Sequence, residues 1–185
     1  DKARNYTEFY AAISKQELSM FNIMYADNRD TIFYINNALM PLRDSTHGYN
    51  WKATLPGNTS QTLWTGFRSI NQLPQYVDPA SGFLFNTNHS PFLATAAGSN
   101  LNPVKFSFTD GWETWHNNRS KRLMELMPAE GKISFEQFKR IKFDRQLPAV
   151  MQYPYRIDSL LRLDPASHPG YADLINTMKQ WDKKG

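Results

Sequence analysis

The chain has no cysteine, and no apolar run approaches the ~18 residues that a helical membrane span needs. The first absence excludes disulfides, cysteine nucleophiles and thiolate metal sites. The second predicts no membrane-spanning helix. Histidine is sparse as well: His47, His89, His116 and His168 lie too far apart to suggest a zinc set. Long runs of one charge are missing. The net charge is only +4 over 185 residues, and the basic residues are scattered apart from Arg119-Ser120-Lys121-Arg122 and the last few positions. They read as a solvated surface, and no nucleic-acid partner is expected. No apolar leader is visible at Asp1-Lys2-Ala3-Arg4-Asn5, so the chain is expected to be an internal piece of a larger polypeptide. Repeats and low-complexity segments are absent too.

What the chain does have is aromatic residues, at 14%, with eleven prolines and nine glycines. That length supports one sizeable core, and that aromatic content separates it from a disordered polymer. The prolines and glycines predict much irregular structure. Asn5 as a cap with Glu8 three residues on starts a helix, along which Tyr6, Phe9, Tyr10 and Ile13 fall on one stripe. Phe21 to Ala26 and Thr31 to Asn36 read as a hairpin around the polar turn Asp27-Asn28-Arg29-Asp30. From Ala38 to about Pro79 the signals are those of a long loop, anchored by Trp51, Trp64, Phe67, Leu73 and Tyr76. A short strand is expected at Phe83–Phe85.

The last third reads as helical. Trp112 and Trp115 precede the apolar positions Leu123, Leu126 and Met127. Ser134 with Gln137 makes a capping box ahead of Phe135, Phe138 and Ile141. Pro148 and Pro154 break the chain, Ile157 to Leu163 is a short helix, and Tyr171, Leu174, Ile175, Met178 and Trp181 form the clearest amphipathic stripe. The expected organisation is α+β: a sheet-contributing, loop-rich segment over 1–109 and a helical subdomain over 110–185.

The most informative stretch is Gly82-Phe83-Leu84-Phe85-Asn86-Thr87-Asn88-His89-Ser90-Pro91-Phe92. A short apolar run ends in a polar, irregular tip whose amide side chains can donate hydrogen bonds. Such a tip suits either a plain turn, because Asn tolerates left-handed backbone, or a site for developing negative charge.

Ahead of it stand Tyr25-Ala26-Asp27, Thr31-Ile32-Phe33-Tyr34, Pro41-Leu42-Arg43, Pro56-Gly57, Trp64-Thr65-Gly66, Leu73-Pro74 and Asp78-Pro79-Ala80-Ser81-Gly82. Behind it come Arg119, Asp144 and Trp181-Asp182. In order and spacing this series resembles the penicillin acylase family of N-terminal-nucleophile amidohydrolases, through most of the chain. The resemblance implies hydrolysis of an amide bond by a precursor that cuts itself into two subunits. The nucleophile is a serine at the new N-terminus of the larger one, with its own α-amine as base. Asp1 has no hydroxyl or thiol to serve in that role. The chain is therefore expected to be an interior segment of the larger subunit, inactive by itself, with the nucleophile upstream. Its partners would be the rest of its own precursor and a small amide substrate.

By the same resemblance Asn88 matches the asparagine that donates to the tetrahedral oxyanion, and Arg119 matches an arginine that orients catalytic groups or substrate. Asn86 is expected to hold the strand end, Arg43 to pair with a carboxylate, and Asp144 to be a buried helix contact. His89 and Phe85 are candidates for the substrate pocket, and Phe83, Phe92 and Met40 are equally good core or acyl-pocket residues. No cofactor is expected. Calcium is not expected in this segment, because Thr95-Ala96-Ala97-Gly98-Ser99-Asn100 supplies no carboxylate.

The hairpin tip lacks the usual glycine, so its turn should differ from the family's. The resemblance further implies a four-layer α-β-β-α sandwich, here truncated, whose exposed strand edge could support a dimer, and a periplasmic or secreted parent. A non-catalytic binding or scaffold relative, and a free-standing aromatic-rich binding module, are the other readings of the same residues.

Overall fold

The computed structural model describes residues 2–128, 131–152, 157–182 and 184. Asp1 and the expected break at Pro154 lie outside them. The chain divides into two compact units, 1–115 and 116–185.

In the first unit, helix α1 (Tyr6–Ile13) opens where Asn5 accepts the amide hydrogen of Glu8 at 2.9 Å. Strands β1 (Phe21–Ala26) and β2 (Ile32–Asn37) pair antiparallel, Phe21 opposite Asn37 and Ala26 opposite Ile32. The turn between them works without glycine. Asp30 takes the left-handed backbone (φ +63°), and the Asp27 carboxylate accepts the amide hydrogens of Arg29 and Thr31. Asp27 N donates to Thr31 O at 3.1 Å, so of the five residues between the strands three, Asn28 to Asp30, form the loop proper, the last of them left-handed.

A third strand, β3 (Gln75–Val77), lines up antiparallel on β2, giving the order β1-β2-β3. It falls inside the stretch that reads as loop. Only three residues long, and bounded by Pro74 and by Asp78 (φ +43°), it is too short for a periodic signal. Asp78 finishes the ladder with its side chain, whose Oδ1 accepts from Ile32 N at 2.7 Å. The strand expected at Phe83–Phe85 does not form; that segment is held instead by bonds from Phe85 N to Ala94 O at 2.9 Å and from Thr95 Oγ1 to Phe83 O at 2.8 Å.

β2 is the middle of the unit, and its alternation sorts the core into two layers. Phe33 and Ile35 point to one face with Leu73, against Tyr6, Phe9, Tyr10 and Ile13 of α1. Tyr34 points to the other face, with Tyr76 and Ala94, against Leu84 and Leu101. A helix thus covers one side of the small sheet and the loop that carries the Asn-rich tip covers the other. Of the expected anchors of the long loop, Leu73 and Tyr76 are buried, but Trp64 and Phe67 stand exposed.

In the second unit, α2 (Asn118–Leu126), α3 (Phe135–Lys142), α4 (Ile157–Leu161) and α5 (Ala172–Lys179) are the α-helices among the described residues. The Ser134–Gln137 capping box forms in both directions, at 3.2 and 2.7 Å. The stripe expected around Leu174 and Ile175 does lie on a helix, α5. Within that helix only Ile175 is buried, while Leu174 and the flanking Tyr171 and Trp181 are exposed. Periodicity sets the helix; burial also needs a partner to cover it.

Candidate functional site

The tip after Phe85 is built from the hairpin outward. Asn22 on β1 accepts from the Tyr34 hydroxyl at 2.9 Å and from Asn36 Nδ2 at 2.8 Å. Asn86 joins this network, its Nδ2 donating to the Tyr34 hydroxyl and its Oδ1 accepting from Asn22 Nδ2, both at 3.4 Å. The same Oδ1 accepts the backbone N–H of Asn88 at 3.1 Å. Asn86 is expected from the sequence to hold a strand end; no strand ends there, and its side chain instead ties the end of the apolar run to β1 and β2 and fixes the backbone of the residue two places on. Burial pushes the Tyr34 hydroxyl far above the ordinary phenol range, so it stays a protonated donor at any working pH.

Asn88 itself is exposed, with left-handed backbone at φ +56°. Asn is among the residues that adopt this conformation most readily. Behind it, His89 is only 5% exposed and stacks on Phe85, ring centroids 4.7 Å apart and 15° between planes. His89 Nε2 lies 2.8 Å from the Leu93 carbonyl, a contact that needs an N–H, so Nδ1 is left to accept from Thr87 N at 3.2 Å. Ser90 closes the other side: its hydroxyl accepts from Phe92 N and donates to the Glu113 carbonyl. Asn88, His89 and Phe85 thus belong to one loop, with Asn88 outward and the other two buried beneath it. Phe92 is also a core residue, fully sealed.

Arg119 belongs to the second unit, exposed in the first turn of α2. Asn117 caps that helix, accepting from Ser120 N at 2.9 Å. The adjacent basic residues have intramolecular work. Arg122 grips Asp144 with two bonds, Nε to Oδ1 at 2.8 Å and Nη2 to Oδ2 at 3.0 Å, and Lys121 Nζ donates to the Val150 carbonyl. Asp144 lies just past α3, half-buried, so it is a clasp between segments and not a fully buried helix contact. The Arg122 hydrogen bonds hold its carboxyl below the usual carboxylate range. The sequence reading of Arg43 also needs correction. Its Nη1 donates to the backbone carbonyls of Thr109 (2.9 Å) and Asp110 (3.2 Å), and the nearby Asp110 carboxylate is taken by Arg68.

Burial, helped by the charge of Lys121, lowers the pKa of His116 below the ordinary imidazole value. The folded chain therefore favours the neutral ring, and the unfolded chain binds the extra proton. This contribution to stability is complete above about pH 6.5 and is lost as pH falls below it. The Asp144 contribution disappears only in the more acid aspartate range, so the two windows separate. Hydrogen exchange of the α2 amides should show protection falling just below pH ~6.5, and His116→Gln should flatten the curve there. An unchanged slope in that variant would remove His116 as the cause.

Among the described residues, no group of three or more His, Cys, Asp or Glu is placed to hold a metal ion, and no helix is long and apolar enough to cross a membrane.

Comparison with known proteins gives a consistent picture. The family model of penicillin amidase matches residues 1–185. Penicillin G acylase of Escherichia coli is 33% identical over 90 residues, which is 49% of this chain and 10% of that protein. A solved structure of a thermostable penicillin G acylase from Alcaligenes faecalis superposes with a TM-score of 0.62 at 23% identity, covering 99% of this chain and 31% of that one. The chain thus spans a minor part of the length of these relatives, and the second likeness speaks for its α+β fold. Matched by the family model from its first residue to its last, the chain belongs to the penicillin amidase family.

Proposed function

We propose that the protein containing this chain is an amidohydrolase that cleaves the N-acyl bond of a small amide, of β-lactam, acyl-homoserine-lactone or related type. The observation that carries this reading is the placement of Asn88. It stands exposed at the apex of a loop whose backbone is pinned by Asn86 and backed by the buried His89–Phe85 stack. A donor for a transient oxyanion must be accessible and must not need to reorganise when charge appears.

In this reading the nucleophile is the N-terminal serine of the larger subunit, on polypeptide outside residues 1–185. Its α-amine, which titrates near neutrality, takes the hydroxyl proton. The serine oxygen bonds to the amide carbon, Asn88 donates to the resulting oxyanion, and the amine leaves with a proton. Water then hydrolyses the acyl ester. Arg119 orients catalytic groups or substrate. His89 and Phe85 shape the substrate side from below, by fixing the loop. The chain alone is inactive, and the chemistry requires no cofactor.

The three strands form part of the family's four-layer sandwich. β1 is one of the two edges of this sheet and exposes Phe21 and Met24, so further strands of the parent pair there, or a second copy does when the segment is isolated. Family membership favours a periplasmic or secreted parent.

The test is to express the full precursor, map new N-termini by mass spectrometry, and assay the product against a panel of N-acyl amides. Processing ahead of a serine together with release of free amine is expected. An unprocessed protein with no turnover would identify a non-catalytic binding or scaffold relative instead.

A further inference from the structure

In the first unit a cleft of about 430 Å³ opens between the segment after β2 and the turn at 108–111. Its walls are Tyr49, Trp51 and Phe108, and two cations, Arg43 and Lys52, line it with Asp110. The aromatic walls are set by the fold. Trp51 Nε1 donates to the Asp44 carbonyl at 2.7 Å, the Tyr49 hydroxyl donates to Gln61 at 2.8 Å, and the two rings meet edge to face at 6.2 Å.

Both cations are placed, and neither is neutralised. Arg43 is anchored through Nη1 alone, on the carbonyls of Thr109 and Asp110. Its Nε and Nη2 make no hydrogen bond to the described residues and are not sealed from solvent. Lys52 lies along Gly111, its Cε 3.7 Å from the point where a Cβ would stand on that glycine (φ +73°). Among the described residues, neither Arg43 nor Lys52 has a carboxylate partner. The acid beside them is spent. The Asp110 side chain is 1% exposed, and its Oδ2 lies 2.7 Å from Arg68 Nε, an ion contact too bent to be a hydrogen bond. The cleft therefore carries excess positive charge between aromatic walls.

We propose that this cleft binds a small organic carboxylate with an aromatic or apolar body. The free Nε–Nη2 edge of Arg43 matches a carboxylate fork, Lys52 adds a point charge, and the body packs on Trp51, Tyr49 and Phe108. Asn50 and Thr109 also line the cleft, so its wall is about half polar, and its size is ordinary for such ligands. None of the lining residues belongs to the Asn88 loop.

The experiment is calorimetric titration of the full-length protein with benzoate, alongside benzamide, inorganic phosphate and a short peptide ending in a free phenylalanine carboxylate. Benzoate should bind saturably and weaken with added salt. Benzamide and phosphate should bind at least about tenfold more weakly. Lys52→Gln should weaken benzoate by a similar factor with no change in melting temperature, because the ammonium holds no structural bond. Arg43→Gln tests the fork, and Lys52→Gln keeps the test decisive if that variant misfolds. Asn88→Ala should bind benzoate as wild type does. Equal binding of benzamide or phosphate, an indifferent Lys52→Gln, loss of binding in Asn88→Ala, or a peptide that outcompetes benzoate would each overturn the proposal. The last would make the ligand a polypeptide terminus.

Discussion

Replacing Asn88 with alanine in the processed parent enzyme should lower kcat by about 10²- to 10³-fold and leave KM nearly unchanged. Such a split marks a bond made only as the tetrahedral intermediate forms. The substitution carries a side effect that has to be separated. Asn88 has φ +56°, and alanine in that region costs roughly 1–2 kcal/mol of backbone strain. Asn88→Gly removes the amide donor at no such cost. If alanine and glycine lose the same activity, the donor is responsible; if glycine retains it, strain is. Asn86→Ala makes a useful contrast. Asn86 holds the Asn88 backbone and joins the Asn22–Tyr34 network, so its loss should move KM and kcat together and lower the melting temperature. Turnover that survives in both Asn88 variants would end the oxyanion assignment.

How far the sequence could be read depended on whether a feature was local. The Asn5 cap, the Ser134–Gln137 box and the hairpin are short-range patterns, and each formed close to its expected limits, with β2 displaced by one residue. β3 was hidden because its existence is a long-range fact: Gln75–Val77 is a strand only because β2 offers a free edge. The reverse happened at Phe83–Phe85, where apolar composition suggested a strand but no strand among the described residues pairs with it. Arg43 shows the same limit for side chains. A carboxylate does lie close by, but Arg68 reaches it, and no spacing along the chain says which arginine arrives. The polar tip was visible as a tip. That Asn22, Tyr34 and Asn36 hold it from 50 or more residues away was not, although alternation along β2 puts Tyr34 and Asn36 on the face opposite Phe33 and could have pointed there.

That shared strand makes Phe33 the position where packing and site meet. Phe33→Ala should destabilise the protein by about 3–5 kcal/mol. The side chain is 0% exposed, and its ring meets Tyr6 at 5.3 Å, Tyr10 at 5.8 Å and Phe9 at 6.5 Å, so truncation opens a cavity between α1 and the sheet. Few domains hold more than about 5–15 kcal/mol in total, so the loss is a large fraction of what keeps the unit folded. Denaturant unfolding measures it as a drop in midpoint at constant slope. Val77→Ala on β3, a half-exposed position of the same sheet, should cost less than about 0.5–1 kcal/mol and serves as the reference. Activity follows a different path here than in the Asn88 variants. Tyr34, the next residue on β2, is the hydroxyl that receives Asn86, so a shift of the strand reaches the tip through that bond. Phe33→Ala should therefore lose turnover in step with stability and recover both on cooling or with a stabilising osmolyte, whereas Asn88→Gly should keep the wild-type midpoint and recover nothing. A Phe33→Ala midpoint no lower than that of Val77→Ala would show that the helix–sheet layer is not what holds the loop in place.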